Sequence, residues 1–101
     1  MQNISVHELY QQLQNNTVAL VIDVREAFEH EHENIGGTLI PLNKVIQQAP
    51  TLPKNVPIIV YCKKGIRSQI AIQKLEAKYG FTNLFNLDGG IEAWKKHYPT
   101  K

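Results

Sequence analysis

Ile58-Ile59-Val60-Tyr61-Cys62-Lys63-Lys64-Gly65-Ile66-Arg67-Ser68 passes from an apolar run to a thiol, three cations and a glycine. Four consecutive apolar or aromatic residues without polar alternation read as a strand covered on both faces. The strand stops at Cys62. From Ser68 to Tyr79 the pattern becomes helical, with Ala71, Ile72, Leu75 and Tyr79 on one apolar face and Gly80 as a left-handed stop. Strand, short loop and helix in this order form the first part of a parallel βαβ unit. They put Cys62 at the carboxyl end of a strand, where open α/β sheets bind their ligands.

Reading outward, Val18 to Ile22 repeats the β-branched pattern and stops at Asp23, and Asn83 to Leu87 supplies a third strand. At the amino end, Ser5 and Glu8 have the spacing of a capping box, with Ile4 placed to staple onto Leu9. Val6, Leu9, Tyr10 and Leu13 then mark one helical face, which Asn15-Asn16 ends. Gly89-Gly90 leads into a last helix carrying Ile91, Trp94 and Tyr98 on one side, closed by Pro99. Between Pro41 and Pro57 the chain is proline-rich and irregular, with one short helical stretch expected around Lys44 to Gln48. The alternation predicts a single α/β domain over residues 1–101 with a mainly parallel sheet.

Composition narrows the function classes. Eleven Lys plus Arg against nine Asp plus Glu leave a net charge of +2 without a long basic tract, so no nucleic-acid partner is expected. The first residues lack a basic segment followed by an apolar one, and no run of about 18 apolar residues occurs, so a soluble, cytoplasmic protein without membrane contact is expected. One cysteine can form neither an internal disulfide nor a thiolate zinc site. It is a buried small hydrophobe or a reactive thiol.

Context favours the reactive thiol. Amides of a tight loop entering a helix can converge on an anion and favour thiolate over thiol, and Gly65 supplies the permissive backbone this needs. Lys63, Lys64 and Arg67 add positive field that attracts an anionic substrate. The segment from Cys62 through Ser68 is thus a candidate nucleophile and anion site together. Asp23 and Arg25 fall just past a neighbouring strand end, where a structural ion pair outweighs a direct part in the chemistry. Glu29-His30-Glu31-His32-Glu33 contains metal-ligand residue types, but residues two apart do not share a helix face, and a solvated acidic stretch is expected. His7 and His97 read as isolated surface residues, Trp94 as core and Gly89-Gly90 as a chain reversal. No motif calls for a metal or a cofactor.

Four segments together resemble the rhodanese family in its order: Asp23-Val24-Arg25-Glu26, Ile40-Pro41-Leu42, Val60 to Ser68, and Leu87-Asp88-Gly89-Gly90-Ile91-Glu92-Ala93-Trp94. The resemblance implies an α/β fold with a five-stranded parallel sheet flanked by helices on both faces. It also implies that Cys62 is the catalytic residue, in a loop that binds substrate through Lys63, Lys64, Gly65, Ile66, Arg67 and Ser68. Cys62 through Arg67 spans six residues, the length associated with sulfur transfer in this family, whereas related phosphatases and arsenate reductases carry seven to seat a larger oxyanion. The basic pair Lys63-Lys64 resembles members that prefer thiosulfate over mercaptopyruvate. Where many members carry Gly-His-Ile before Gly-Ala, this chain has Glu33-Asn34-Ile35-Gly36-Gly37-Thr38, a variant also found in rhodanese domains fused to ubiquitin-activating-like sulfur-carrier enzymes.

The expected activity is a thiosulfate sulfurtransferase that carries a sulfane sulfur on Cys62 as a persulfide. Its partners would be a small anionic donor such as thiosulfate and a cyanide or thiol acceptor. With no second cysteine to resolve the persulfide, transfer would be ping-pong. The alternatives are a persulfide-relay or partner-binding module with a protein donor or acceptor, and a cysteine phosphatase, which the short loop disfavours.

Overall fold

The computed structural model describes residues 1–17 and 20–101. Among these residues the strands are β1 (Gln2–Ile4), β2 (Leu20–Asp23), β3 (Thr38–Leu39), β4 (Ile58–Tyr61) and β5 (Leu84–Leu87). The helices are α1 (Val6–Gln14), α2 (Ala27–His32), α3 (Ile66–Tyr79) and α4 (Gly90–Lys95). The strands form one sheet in the order β1-β5-β4-β2-β3, and every pairing is parallel. With β4 in the middle, the residue after it is surrounded by the carboxyl ends of its neighbours.

Side-chain alternation along the strands divides the apolar residues between two cores. Ile22, Ile58, Val60 and Leu84 face α3 and pack with Ala71, Ile72 and Leu75. Val21, Ile59, Tyr61 and Leu87 face the other way, onto Leu9 of α1 and Ile91 and Trp94 of α4. Both faces are therefore dry, which explains why β4 lacks polar alternation. Helix α1 begins as its sequence predicts: the Glu8 amide donates to Ser5 Oγ at 3.1 Å, and the Ser5 amide donates to Glu8 Oε1 at 3.1 Å.

Several boundaries differ from the sequence reading. Helix α3 begins at Ile66 rather than Ser68, because Gly65 turns the chain at φ 100° and the helix starts directly after it. Tyr79, expected on the apolar face, is 39% exposed at the far end of that helix. Strand β2 runs through Asp23, which pairs with Tyr61 and Leu39, while Val18 and Ala19 lie outside the described residues. The short helix expected at Lys44 to Gln48 is two single 3-10 turns, Leu42–Lys44 and Ala49–Thr51, the second with Pro50 near its start. No helix among the described residues is long and apolar enough to cross a membrane.

Candidate active site

Cys62 follows the last residue of β4 and points to the α3 side, where it is 1% exposed. The loop folds back over its sulfur. The Gly65 amide donates to Sγ at 3.1 Å, and the Ser68 amide, in the first turn of α3, donates at 3.4 Å. These two donors stabilise negative charge on sulfur, and the first helical turn adds its dipole. On the opposite side, the Ile91 and Glu92 amides at the start of α4 donate to the Cys62 and Lys63 carbonyls, each at 3.0 Å. This close approach requires Gly90: a Cβ there would lie 2.4 Å from the Cys62 carbonyl oxygen, and its φ is +60°. The Gly89-Gly90 reversal thus serves the loop directly.

A cup of about 300 Å³ opens over the sulfur, lined by Cys62, Lys63, Lys64, Ile66 and Arg67. Its charged lining is entirely cationic. Arg67 is not free, since its Nη1 and Nη2 donate to Glu29 Oε1 at 2.7 Å and Oε2 at 3.0 Å. These bonds hold the Glu29 carboxyl at about 2, well below its ordinary 4.5, while burial pushes the other way. The same contact raises Arg67. Bidentate pairing fixes the guanidinium plane beside the loop.

A second polar cluster lies under the neighbouring strand end. Arg25 is 3% exposed, and its Nε and Nη2 donate to Asp23, the latter at 2.8 Å. Nη2 also donates to the Glu33 carbonyl at 2.8 Å, and His30 Nδ1 lies 2.8 Å from Asp23 Oδ2. Burial pushes the Asp23 carboxyl up, but its bonds to Arg25 and His30 outweigh this and hold it below the usual carboxylate range. The Arg25 guanidinium also lies 5.5 Å from the centre of the Tyr61 ring, whose hydroxyl burial pushes up to about 12. Arg25 is thereby committed to joining β2 to the chain after α2.

Three features go beyond the sequence expectations or differ from them. Ser68 Oγ donates to Asn86 Oδ1 and lies 3.4 Å from Cys62 Sγ, and Asn86 Nδ2 donates in turn to Asn3 Oδ1 at 3.4 Å. Asn86 is 1% exposed and occupies a β5 position whose parity faces the apolar α3 side. That break in pattern was the available signal. The acidic stretch is not a solvated run: Glu29 holds Arg67, His30 holds Asp23, and Glu33 pairs with Lys95 at 2.7 Å. Nor are His7 and His97 isolated, since their rings lie 4.7 Å apart and His7 Nδ1 is 2.7 Å from the Tyr98 hydroxyl. Among the described residues, no group of three or more His, Cys, Asp or Glu is placed to hold a metal ion.

The Rhodanese-like domain family matches residues 5–97. A relative named thiosulfate sulfurtransferase GlpE, from Coxiella burnetii, is 37% identical over 82 residues, spanning 80% of this chain and 76% of its own. A sulfurtransferase from Allochromatium vinosum is 30% identical over 95 residues, 93% of this chain and 88% of that one. Among solved structures, a rhodanese-related protein from Thermoplasma volcanium superposes with a TM-score of 0.86 at 28% identity, covering 100% of this chain and 98% of the other. The chain belongs to the rhodanese-like domain family.

Proposed function

We propose that the protein is a sulfurtransferase in which Cys62 takes the outer sulfur of thiosulfate and passes it to cyanide or a thiol. The observation that carries this reading is the position of the only thiol, beneath a cationic cup and within reach of the Gly65 and Ser68 amides. The relatives named as sulfurtransferases support it.

In the first half-reaction the Cys62 thiolate attacks the outer sulfur of thiosulfate. The new S–S bond forms as the bond to the sulfonate sulfur breaks, and sulfite departs with that electron pair. Lys63 and Lys64 offset the charge brought in by the dianion, and the loop amides take up the charge on the remaining persulfide. In the second half-reaction cyanide or a thiolate attacks the outer persulfide sulfur, and the Cys62 thiolate is the leaving group. Ser68 has one hydroxyl proton and two neighbours for it, Asn86 Oδ1 and the sulfur. It can turn toward the sulfur when that atom is charged.

The reading is tested by incubating the protein with thiosulfate and measuring its intact mass. The expected result is a gain of one sulfur atom, reversed by cyanide and absent from Cys62→Ser. Thiosulfate:cyanide turnover that survives in Cys62→Ser would overturn it.

A further inference from the structure

A second depression of about 340 Å³ lies beside the cationic cup and shares Lys63 with it. Glu29, in its wall, also holds Arg67 of the cup, so the two spaces are neighbours at one edge of the loop. Their chemistry differs. The cup carries cations alone, whereas the groove is lined by Lys63, Lys95, Glu33 and Glu92 along with Glu29 and an exposed Phe28. Phe28 is 72% exposed, an unusual position for a large apolar ring in a chain that buries its other phenylalanines further.

The four outer charges are arranged as two pairs, Lys63 with Glu92 at 3.8 Å and Lys95 with Glu33 at 2.7 Å. Both lysines are about half exposed, at 55% and 43%. Exposed ion pairs of this kind are weak, so a ligand carrying both charges can open them and take each partner in turn. A dianion would meet three carboxylates here beside the lysines, since Arg25 is held by Asp23, and an apolar ligand resting on Phe28 and Ile91 would leave both ion pairs unused. The volume lies at the low end of small-molecule sites, roughly 300–1,000 Å³.

The geometry points to this groove as the binding site of the sulfur acceptor, a zwitterionic thiol of amino-acid or short-peptide type. The inference rests on the sulfur-transfer reading given above. The acceptor's carboxylate meets Lys95 or Lys63, its ammonium meets Glu33 or Glu92, and its backbone lies along Phe28. Its thiol loses a proton to solvent, and the thiolate attacks the outer sulfur of the Cys62 persulfide. A new S–S bond forms on the acceptor while the Cys62 thiolate departs with the electrons of the old one. Donor and acceptor thus enter by adjacent but differently charged spaces.

The test separates the half-reactions. The protein is loaded with thiosulfate, freed of excess donor and checked by intact mass for the added sulfur. Its discharge is then timed with glutathione, with neutral 2-mercaptoethanol, with anionic 3-mercaptopropionate and with cyanide, the thiols being compared at equal thiolate concentration. Glutathione is expected to discharge it at least tenfold more efficiently than either simple thiol. Lys95→Ala and Glu33→Gln, both surface changes, are each expected to lower the glutathione-to-cyanide ratio of kcat/KM about fivefold, with Lys95→Arg restoring it. Equal efficiency of the three thiols, or an unchanged ratio in both variants, would overturn the acceptor site while leaving sulfur transfer intact. Failure to load sulfur, seen before any thiol is added, would remove the underlying reading and this one with it.

Discussion

Glu29→Gln removes the charge from the contact that fixes Arg67 beside the loop, while the amide still accepts one N–H. The wild-type carboxyl sits at about 2 against an ordinary 4.5, with Arg67 hydrogen bonding as the leading cause. At about 1.4 kcal/mol per pH unit, this fall would contribute roughly 3.4 kcal/mol if the pair were fully shielded. The Glu29 side chain is 19% exposed and that of Arg67 33%, so solvent screening reduces the effect to about 1–2 kcal/mol. The sign follows from the lowered value: the contribution is complete above pH 4.5 and disappears as pH falls toward 2. No more than about half of it remains near pH 3.3. Urea unfolding of both proteins at pH 7 and near pH 3.3 provides the measurement. The variant should lose about 1–2 kcal/mol at pH 7 and at most about half that at the lower pH, since Asp23 and Glu33 titrate in both proteins and cancel. A stability difference that stays constant between the two pH values would refute the charge-based account of this contact.

Neutralising Lys63 or Lys64 should raise the thiosulfate KM several-fold at low salt, because each charge near a dianion contributes on the order of 1 kcal/mol, and raised salt should shrink the effect. Lys63 is shared with Glu92, so Lys64→Ala is expected to show the larger rise; unchanged KM in both variants would make a protein persulfide donor the better reading. Ser68→Ala leaves the buried Asn86 Oδ1 without its donor and should cost about 1–3 kcal/mol in urea unfolding. It should also slow persulfide formation, and wild-type stability and rate together in this variant would show that the hydroxyl serves neither purpose.

The sequence reading succeeded where signals are local. The unbroken β4 run, the Ser5-Glu8 box and the Gly65 turn each concern residues a few positions apart, so their physics is visible without a fold. Strands β1 and β3 are three and two residues long, too short for any period to show, and they exist because their neighbours offer an edge. The residues of the candidate site likewise divide into near and distant in sequence. Cys62, the lysines and Gly65 are contiguous, whereas Glu29 meets Arg67 across 38 positions and Asn86 meets Ser68 across 18. A carboxylate in a run of His and Glu looks solvated until the fold supplies its partner. Asn86 was legible in principle, as a polar residue at an apolar parity, but one such break has no address until α3 is laid over it.

The bonds from α4 to the Cys62 and Lys63 carbonyls reach further than the loop itself. A peptide whose oxygen is drawn outward turns its negative end away from whatever anion occupies the cup. Helix α4 acts as a bracket that keeps these two dipoles averted. The bracket is fastened elsewhere: the Tyr98 ring, just past α4, lies flat on Tyr10 of α1 at 4.0 Å, with Trp94 wedged against both. The electrostatic polarity of the thiol's surroundings is therefore set partly by an aromatic stack on the opposite face of the sheet. Loosening that stack at Tyr10, fifty-two positions before the cysteine, is expected to weaken the bracket and with it the outward pull on the two carbonyl oxygens.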